Sequence, residues 1–148
     1  MPNYKKSAAL SLWVTRVFLL VLAASLFLMP AFVRWYTGLR ALAEQAAAVL
    51  LGAFYVCTVP AALALFAIHR LLRNIQKDRV FLLDNARLVS HVGLCCAAVC
   101  LVAGAAGFVY PPLLFVSLLM LFLCLLMNVI SSVLSAATHL REENDLTI

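Results

Sequence analysis

A chain of 148 residues that is 66% hydrophobic and only 11% charged, with a mean hydropathy of +1.08, cannot cover a water-facing surface with polar groups. Soluble domains carry about a quarter charged residues, so a soluble globular domain is excluded, and the apolar runs leave no length for a second domain. Eleven Lys and Arg against six Asp and Glu give a net charge of +5, concentrated in the short stretches that separate the apolar runs.

Met1 to Lys6 is a short basic start, and an apolar run follows from Val17 to Val33. A secretory signal has a shorter apolar region that ends at its cleavage site. Here the small residues Ala23 to Ser25 lead straight into Leu26-Phe27-Leu28-Met29, so the run reads as an uncleaved anchor. Its helix is expected from about Ser7 to Trp35. Arg16 and Arg34 are 18 positions apart, or about 27 Å of helix, close to the ~30 Å of hydrocarbon in a bilayer. Both arginines can then reach opposite interfaces, with Trp13, Trp35 and Tyr36 as headgroup-level anchors. The alternative for Arg16 is a charge paired across helices inside the bilayer.

The second helix is expected from about Ala46 to Ile75, kinked at Pro60, with Thr58 available to satisfy a freed carbonyl. Beyond His69 the pattern turns amphipathic: Ile68, Leu71, Leu72 and Ile75 recur at helical spacing, while Arg70, Arg73, Asn74 and Lys77 face elsewhere. The third helix is expected from about Asn85 to Val109, with Asp84 or Asn85 able to cap its start. Tyr110-Pro111-Pro112 forces a tight turn, and a fourth helix follows from about Leu113 to His139. The expected fold is all-α and integral to the membrane. One domain, residues 1–148, holds four transmembrane helices in an antiparallel bundle, with spans at about 11–35, 46–70, 87–109 and 113–137, a connector at about 70–86 and a tail at about 140–148.

Orientation follows from charge. With the amino terminus inside, Lys5, Lys6, Arg16, Arg70, Arg73, Lys77, Arg79, Arg87 and Arg141 lie on the inner side, and only Arg34 and Arg40 lie outside. Lys and Arg resist translocation, so both termini and the connector are expected in the cytoplasm. The basic connector should also associate with anionic lipid headgroups, at about 1 kcal/mol per well-placed charge.

Two patterns concern packing. Gly93, Ala97, Cys100, Gly104 and Gly107 fall on one stripe of the third helix, where small residues let two backbones approach, within the bundle or between protomers. Asn128, Ser131, Ser132, Ser135 and Thr138 make a polar strip on the connector-side half of the fourth helix, suited to interhelical hydrogen bonds or to the wall of a water-filled cavity. The five cysteines all lie inside apolar runs, which argues for packing and against a disulfide framework. HVGLCCAAVC resembles a metal motif, but at ~100° per residue Cys96 and Cys100 point well away from His91 and Cys95. His69, His91 and His139 fall near one boundary, and interfacial histidine is the simpler reading. All six acids lie outside the expected hydrocarbon, and no nucleophile–base pair or glycine-rich phosphate loop is present. No metal, cofactor or catalytic residue is assigned, and the chain is read as not an enzyme.

Four features resemble a bacterial family of small integral membrane proteins, domain of unknown function 2975. They are Pro60, the basic connector ending Lys77-Asp78, the pattern Phe81-x-x-Asp84-Asn85, and the terminal Glu143-Asn144-Asp145-Leu146-Thr147-Ile148. Leu82 departs from the serine frequent in relatives, which would cap the third helix. The resemblance implies four membrane helices with no assigned activity, and members are often encoded beside a small helix-turn-helix transcription regulator.

The functional expectation is a non-enzymatic interaction or regulatory protein of the bacterial cytoplasmic membrane. It acts through Arg70, Arg73, Lys77, Arg79 and Arg87 of the connector and Glu142, Glu143 and Asp145 of the tail. Its partners are the lipid bilayer and a small DNA-binding regulator or another membrane protein, without direct contact to nucleic acid. The alternative is an oligomeric small transporter or channel subunit, in which the Gly93–Gly107 stripe joins protomers and the strip from Asn128 to Ser135 faces a path.

Overall fold

The structure, a computed structural model, describes residues 3–40, 44–77 and 83–145. Four helices account for nearly all of them: α1 (Asn3–Arg40), α2 (Glu44–Gln76), α3 (Leu83–Gly107) and α4 (Pro112–Asp145). Each contains a stretch long and apolar enough to cross a membrane, at Ser11–Arg40, Glu44–Gln76, Asp84–Gly107 and Pro112–Leu140. This is the build of a multi-pass membrane protein. Large apolar side chains such as Phe27 (84% exposed) and Leu101 (74% exposed) point outward, an arrangement that only a lipid surround makes favourable.

The helices overrun the expected spans. The connector placed at 70–86 is helical at both ends: α2 continues to Gln76, one residue past the expected Ile75, and α3 begins at Leu83, two residues before the expected Asn85. Lys77 closes α2 by donating its N–H to the Asn74 carbonyl at 3.2 Å. The tail expected at 140–148 is helical as far as Asp145. Good helix formers continue α1, α2 and α4 past the apolar run, so hydropathy marks the span and misses the helix end, whereas α3 stops at Gly107, two residues short of the expected Val109.

Consecutive helices run antiparallel. Ser117 and Ser131, 14 residues apart along α4, donate to the carbonyls of Cys100 (2.9 Å) and Ala86 (2.9 Å), which are 14 residues apart in the opposite sense along α3. The α3–α4 turn is as short as expected: only Phe108 to Pro111 separate the helices, and Pro112 opens α4, where a missing N–H costs nothing. Tyr110 donates its backbone N–H to Ala106 (3.0 Å), and Leu113 donates to Tyr110 (3.0 Å).

The expected bundle takes an open form. Each helix packs on its neighbour in sequence, and among the described residues α1 makes no close backbone approach to α3 or α4, nor α2 to α4. The firmest pairing is α3 with α4, where the small-residue stripe meets its partner. A Cβ added at Gly93 would lie 3.3 Å from the Met127 Cβ, one at Gly104 3.1 Å from the Ser117 Oγ, and one at Gly107 against the Leu114 side chain. The protomer contact considered for this stripe is therefore corrected: α4 of the same chain occupies it.

Two prolines sit inside helices, Pro30 in α1 and Pro60 in α2. Each removes the N–H that would pair with the carbonyl four residues back. At Pro30 the carbonyl is that of Leu26, and the Tyr55 hydroxyl of α2 donates to it at 3.0 Å. A helix break thus becomes an interhelical bond. At Pro60 the freed carbonyl is that of Val56, and Thr58 does not serve it: its hydroxyl bonds the Phe54 carbonyl at 2.8 Å.

Candidate functional site

Two features of the open arrangement stand out. The first is an apolar cavity of about 340 Å³ where α2, α3 and α4 diverge. Cys57, Pro60 and Leu65 line it from α2, Cys95 and Cys96 from α3, and Met120 and Met127 from α4. Helical rotation alone sets Cys96 about 100° from its neighbour Cys95. The structure brings both to this cavity, since Val92, Cys95, Cys96 and Val99 form one i, i+3, i+4, i+7 face. Cys100 turns to the α4 side, 3.4 Å from the Ser117 hydroxyl. An apolar groove inside a bilayer suits an acyl chain or a hydrocarbon side chain, and its thiols act as small packing groups.

The second feature is the end of the molecule where α2 stops, α3 starts and α4 runs on. Asn85 is 1% exposed there, and its side-chain oxygen accepts a 2.9 Å hydrogen bond from the Asn74 amide of α2. The Ser131 bond to Ala86 ties α4 to the same turn of α3. A pocket of about 260 Å³ lies beside it, lined by Ala86, Arg87, Ser90, Ser131 and Ser135. Three helices are thus joined by polar bonds at one level, which makes this end a firm platform.

Around the platform, Arg70, Arg73, Lys77 and Arg87 are exposed, as is Glu143 on the α4 extension. Arg87 lies 4.0 Å from Asp84 one turn away, an exposed pair of small energetic weight. Arg79 lies outside the described residues, as do the side chains of Glu142 and Asp145. Of the expected polar strip, Ser131 bridges to α3, Ser135 lines the pocket, and Thr138 is buried with its hydroxyl on the Leu134 carbonyl at 2.8 Å. Asn128 is exposed, and its backbone carbonyl accepts from Ser132 at 3.0 Å.

The histidines do not converge. His91 is exposed with its Nδ1 2.7 Å from the Arg87 carbonyl, His139 is exposed, and the buried Nδ1 of His69 meets no polar partner among the described residues. Among those residues no three His, Cys, Asp or Glu side chains come together as a metal-binding group.

At the opposite end, the hydroxyls of Tyr36 on α1 and Tyr110 in the α3–α4 turn lie 2.6 Å apart. Phe32 stacks beside Tyr36, with ring centroids 6.3 Å apart. The bond to Tyr36, more than partial burial, holds the Tyr110 phenol above its ordinary range, with Arg40 opposing the shift. This link between distant segments, the Tyr55–Leu26 bond and the Asn74–Asn85 bond all escaped the sequence reading. Pro30 within an apolar run was a usable signal for the second, because it frees a carbonyl that lipid cannot satisfy.

A family profile described as "Protein of unknown function (DUF2975)" matches residues 31–148. The chain belongs to this family. The match takes in the end of α1 and everything beyond it, so both the apolar cavity and the polar platform of this DUF2975 protein lie within it. No curated protein and no solved structure matches the chain.

Proposed function

We propose that this DUF2975 protein is a non-enzymatic membrane protein that binds a partner at its connector end, on the cytoplasmic side of a bacterial membrane. The observation that supports this reading is the polar platform. The exposed cations Arg70, Arg73, Lys77 and Arg87 surround a level at which α2, α3 and α4 are cross-bonded, beside the helical extension of α4 that carries Glu143. The excess of Lys and Arg on this side favours the cytoplasm. Cations and anions side by side on a firm surface suit a partner of mixed charge and steer its approach. The frequent neighbourhood of the family's genes with a small helix-turn-helix regulator makes such a protein the first partner to test.

The transporter or channel reading has one feature in its favour, the pocket of Ser90, Ser131 and Ser135. A path would have to continue through polar surroundings, whereas the cavity at greater depth is lined by Cys, Met, Pro and aliphatic residues. Affinity purification from detergent extract tests the interaction reading. Deleting residues 141–148, or reversing charge with Arg70→Glu and Arg73→Glu, should abolish recovery of a specific soluble partner. Recovery unchanged in both variants would remove this face from the account.

A further inference from the structure

The packing of α4 on α3 accounts for the small-residue stripe and for Ser117 and Ser131, Thr138 bonds a carbonyl of its own helix, and Asn128 is left unexplained. Asn128 is exposed on the outer surface of the helix, and among the described residues its carboxamide makes no hydrogen bond. At ~1.5 Å per residue it lies about 3 Å of helix from the midpoint of the Pro112–Leu140 span, hence about 12 Å inside the nearer edge of a ~30 Å hydrocarbon layer centred there. An asparagine side chain is too short to reach either interface from that depth. A carboxamide facing hydrocarbon with two donors and an acceptor unmet is costly.

The residues around it form a seam. Leu114, Leu118, Leu121, Leu125, Asn128, Ser132, Ser135 and His139 alternate at steps of four and three along α4, the 3.5-residue period of two helices that wind around each other. Leu114, Leu118, Leu121 and Leu125 are 46%, 65%, 47% and 58% exposed, Ser132 and His139 are exposed, and Ser135 is half-buried. The seam lies beside the face that packs on α3: Leu114 also reaches Gly107 and Ser135 also lines the pocket against α3, while Leu118, Leu121, Leu125, Asn128 and Ser132 stay open in the folded chain. A single asparagine at such a core position is the device that fixes register and the number of strands in a coiled coil.

We infer that α4 pairs with α4 of a second copy of this chain, with Asn128 hydrogen-bonded to Asn128 across a two-fold axis along the membrane normal. The occupant follows from the chemistry. An asparagine carboxamide both donates and accepts, so it satisfies an identical group. Copies inserted with the same orientation bring Asn128 to the same depth, and an isologous contact needs a self-complementary surface of this kind. Leucines at the remaining seam positions supply the packing. This contact is centred on Asn128, meets the pocket of the connector-end platform only at Ser135, and places two platforms side by side.

The test measures association of the full chain in lipid bilayers, by single-molecule photobleaching or by energy transfer between labelled copies as the protein-to-lipid ratio is varied. A monomer–dimer equilibrium is expected. Asn128→Leu, whose site is exposed and whose fold is checked by its helical circular dichroism, should associate about 3- to 30-fold more weakly, the range for an interhelical hydrogen bond in lipid. Asn128→Gln should recover part of the loss. Moving the amide to the far side of the helix, with Asn128→Leu and Ile130→Asn together, should not. A chain that remains monomeric at every ratio would overturn the inference. So would a dimer that Asn128→Leu leaves unchanged, or one in which the displaced amide restores pairing.

Discussion

Gly107 sits where Leu114 closes over the end of α3: a Cβ there would meet the Leu114 side chain and lie 3.2 Å from its backbone nitrogen. A backbone atom in the first turn of α4 cannot yield as a flexible side chain can, so Gly107→Val should cost about 1–3 kcal/mol of stability. Gly52→Ala, with nothing within 4 Å of the added carbon, should cost nothing. Thermal unfolding of both variants in one detergent checks the contrast. Tyr110 makes a second prediction. Its phenol is held above its ordinary range chiefly by the hydrogen bond with Tyr36, so the folded state retains this proton more firmly than the unfolded one. The stabilisation is fully present below about pH 10, the ordinary tyrosine value, and is lost as pH rises through the higher folded value. Tyr36→Phe should return the Tyr110 titration to the ordinary range, read as phenolate absorbance against the parent protein. At this scale periodicity showed which residues share a face and could not show what covers it. The glycine stripe was legible as a packing surface, while its partner α4 depended on how the hairpin closes.

Helices in lipid are held together by close packing and by the few polar groups that find partners, and α1 and α2 illustrate the second. Pro30 frees the Leu26 carbonyl, and Tyr55 donates to it at 3.0 Å. Tyr55→Phe should therefore destabilise the protein by roughly 0.6–2 kcal/mol. In a Pro30→Ala background position 30 regains its N–H, the carbonyl is satisfied within α1, and the same Tyr55 substitution should cost less. A double-mutant cycle on unfolding free energies measures that coupling, and strict additivity would contradict it. The junction of α2 and α3 depends on the bond between Asn74 and the buried Asn85. Asn85→Leu leaves Asn74 without this partner and should cost about 1–3 kcal/mol, with faster trypsin cleavage after Lys77. The four spans were legible because twenty-residue apolar runs have one common explanation. The facing ends of α2 and α3 were legible too, at Gln76 and Leu83 against an expected Ile75 and Asn85, because helical periodicity continued there. The ends of α1 and α4 were not, running on to Arg40 and Asp145 past the expected Trp35 and His139.

For the molecule as a whole, the serial packing of α1 on α2, α2 on α3 and α3 on α4 explains why the surface stays apolar and why one cavity opens between three helices. The sequence could supply four helices and their alternating direction, but closure of a bundle depends on crossing angles that composition does not encode. The candidate site was half legible. Its basic residues were visible as a charge cluster, whereas the Asn74–Asn85 and Ser131–Ala86 bonds that organise it needed the helices in place. The account depends on this end of the molecule facing the cytoplasm. The direct measurement introduces a cysteine in place of Glu143, which is exposed, and treats cells with a membrane-impermeant maleimide before and after permeabilisation, with the parent protein as the control for its own thiols. The account predicts labelling at position 143 only after the membrane is breached. Labelling in intact cells would place the platform outside and contradict it.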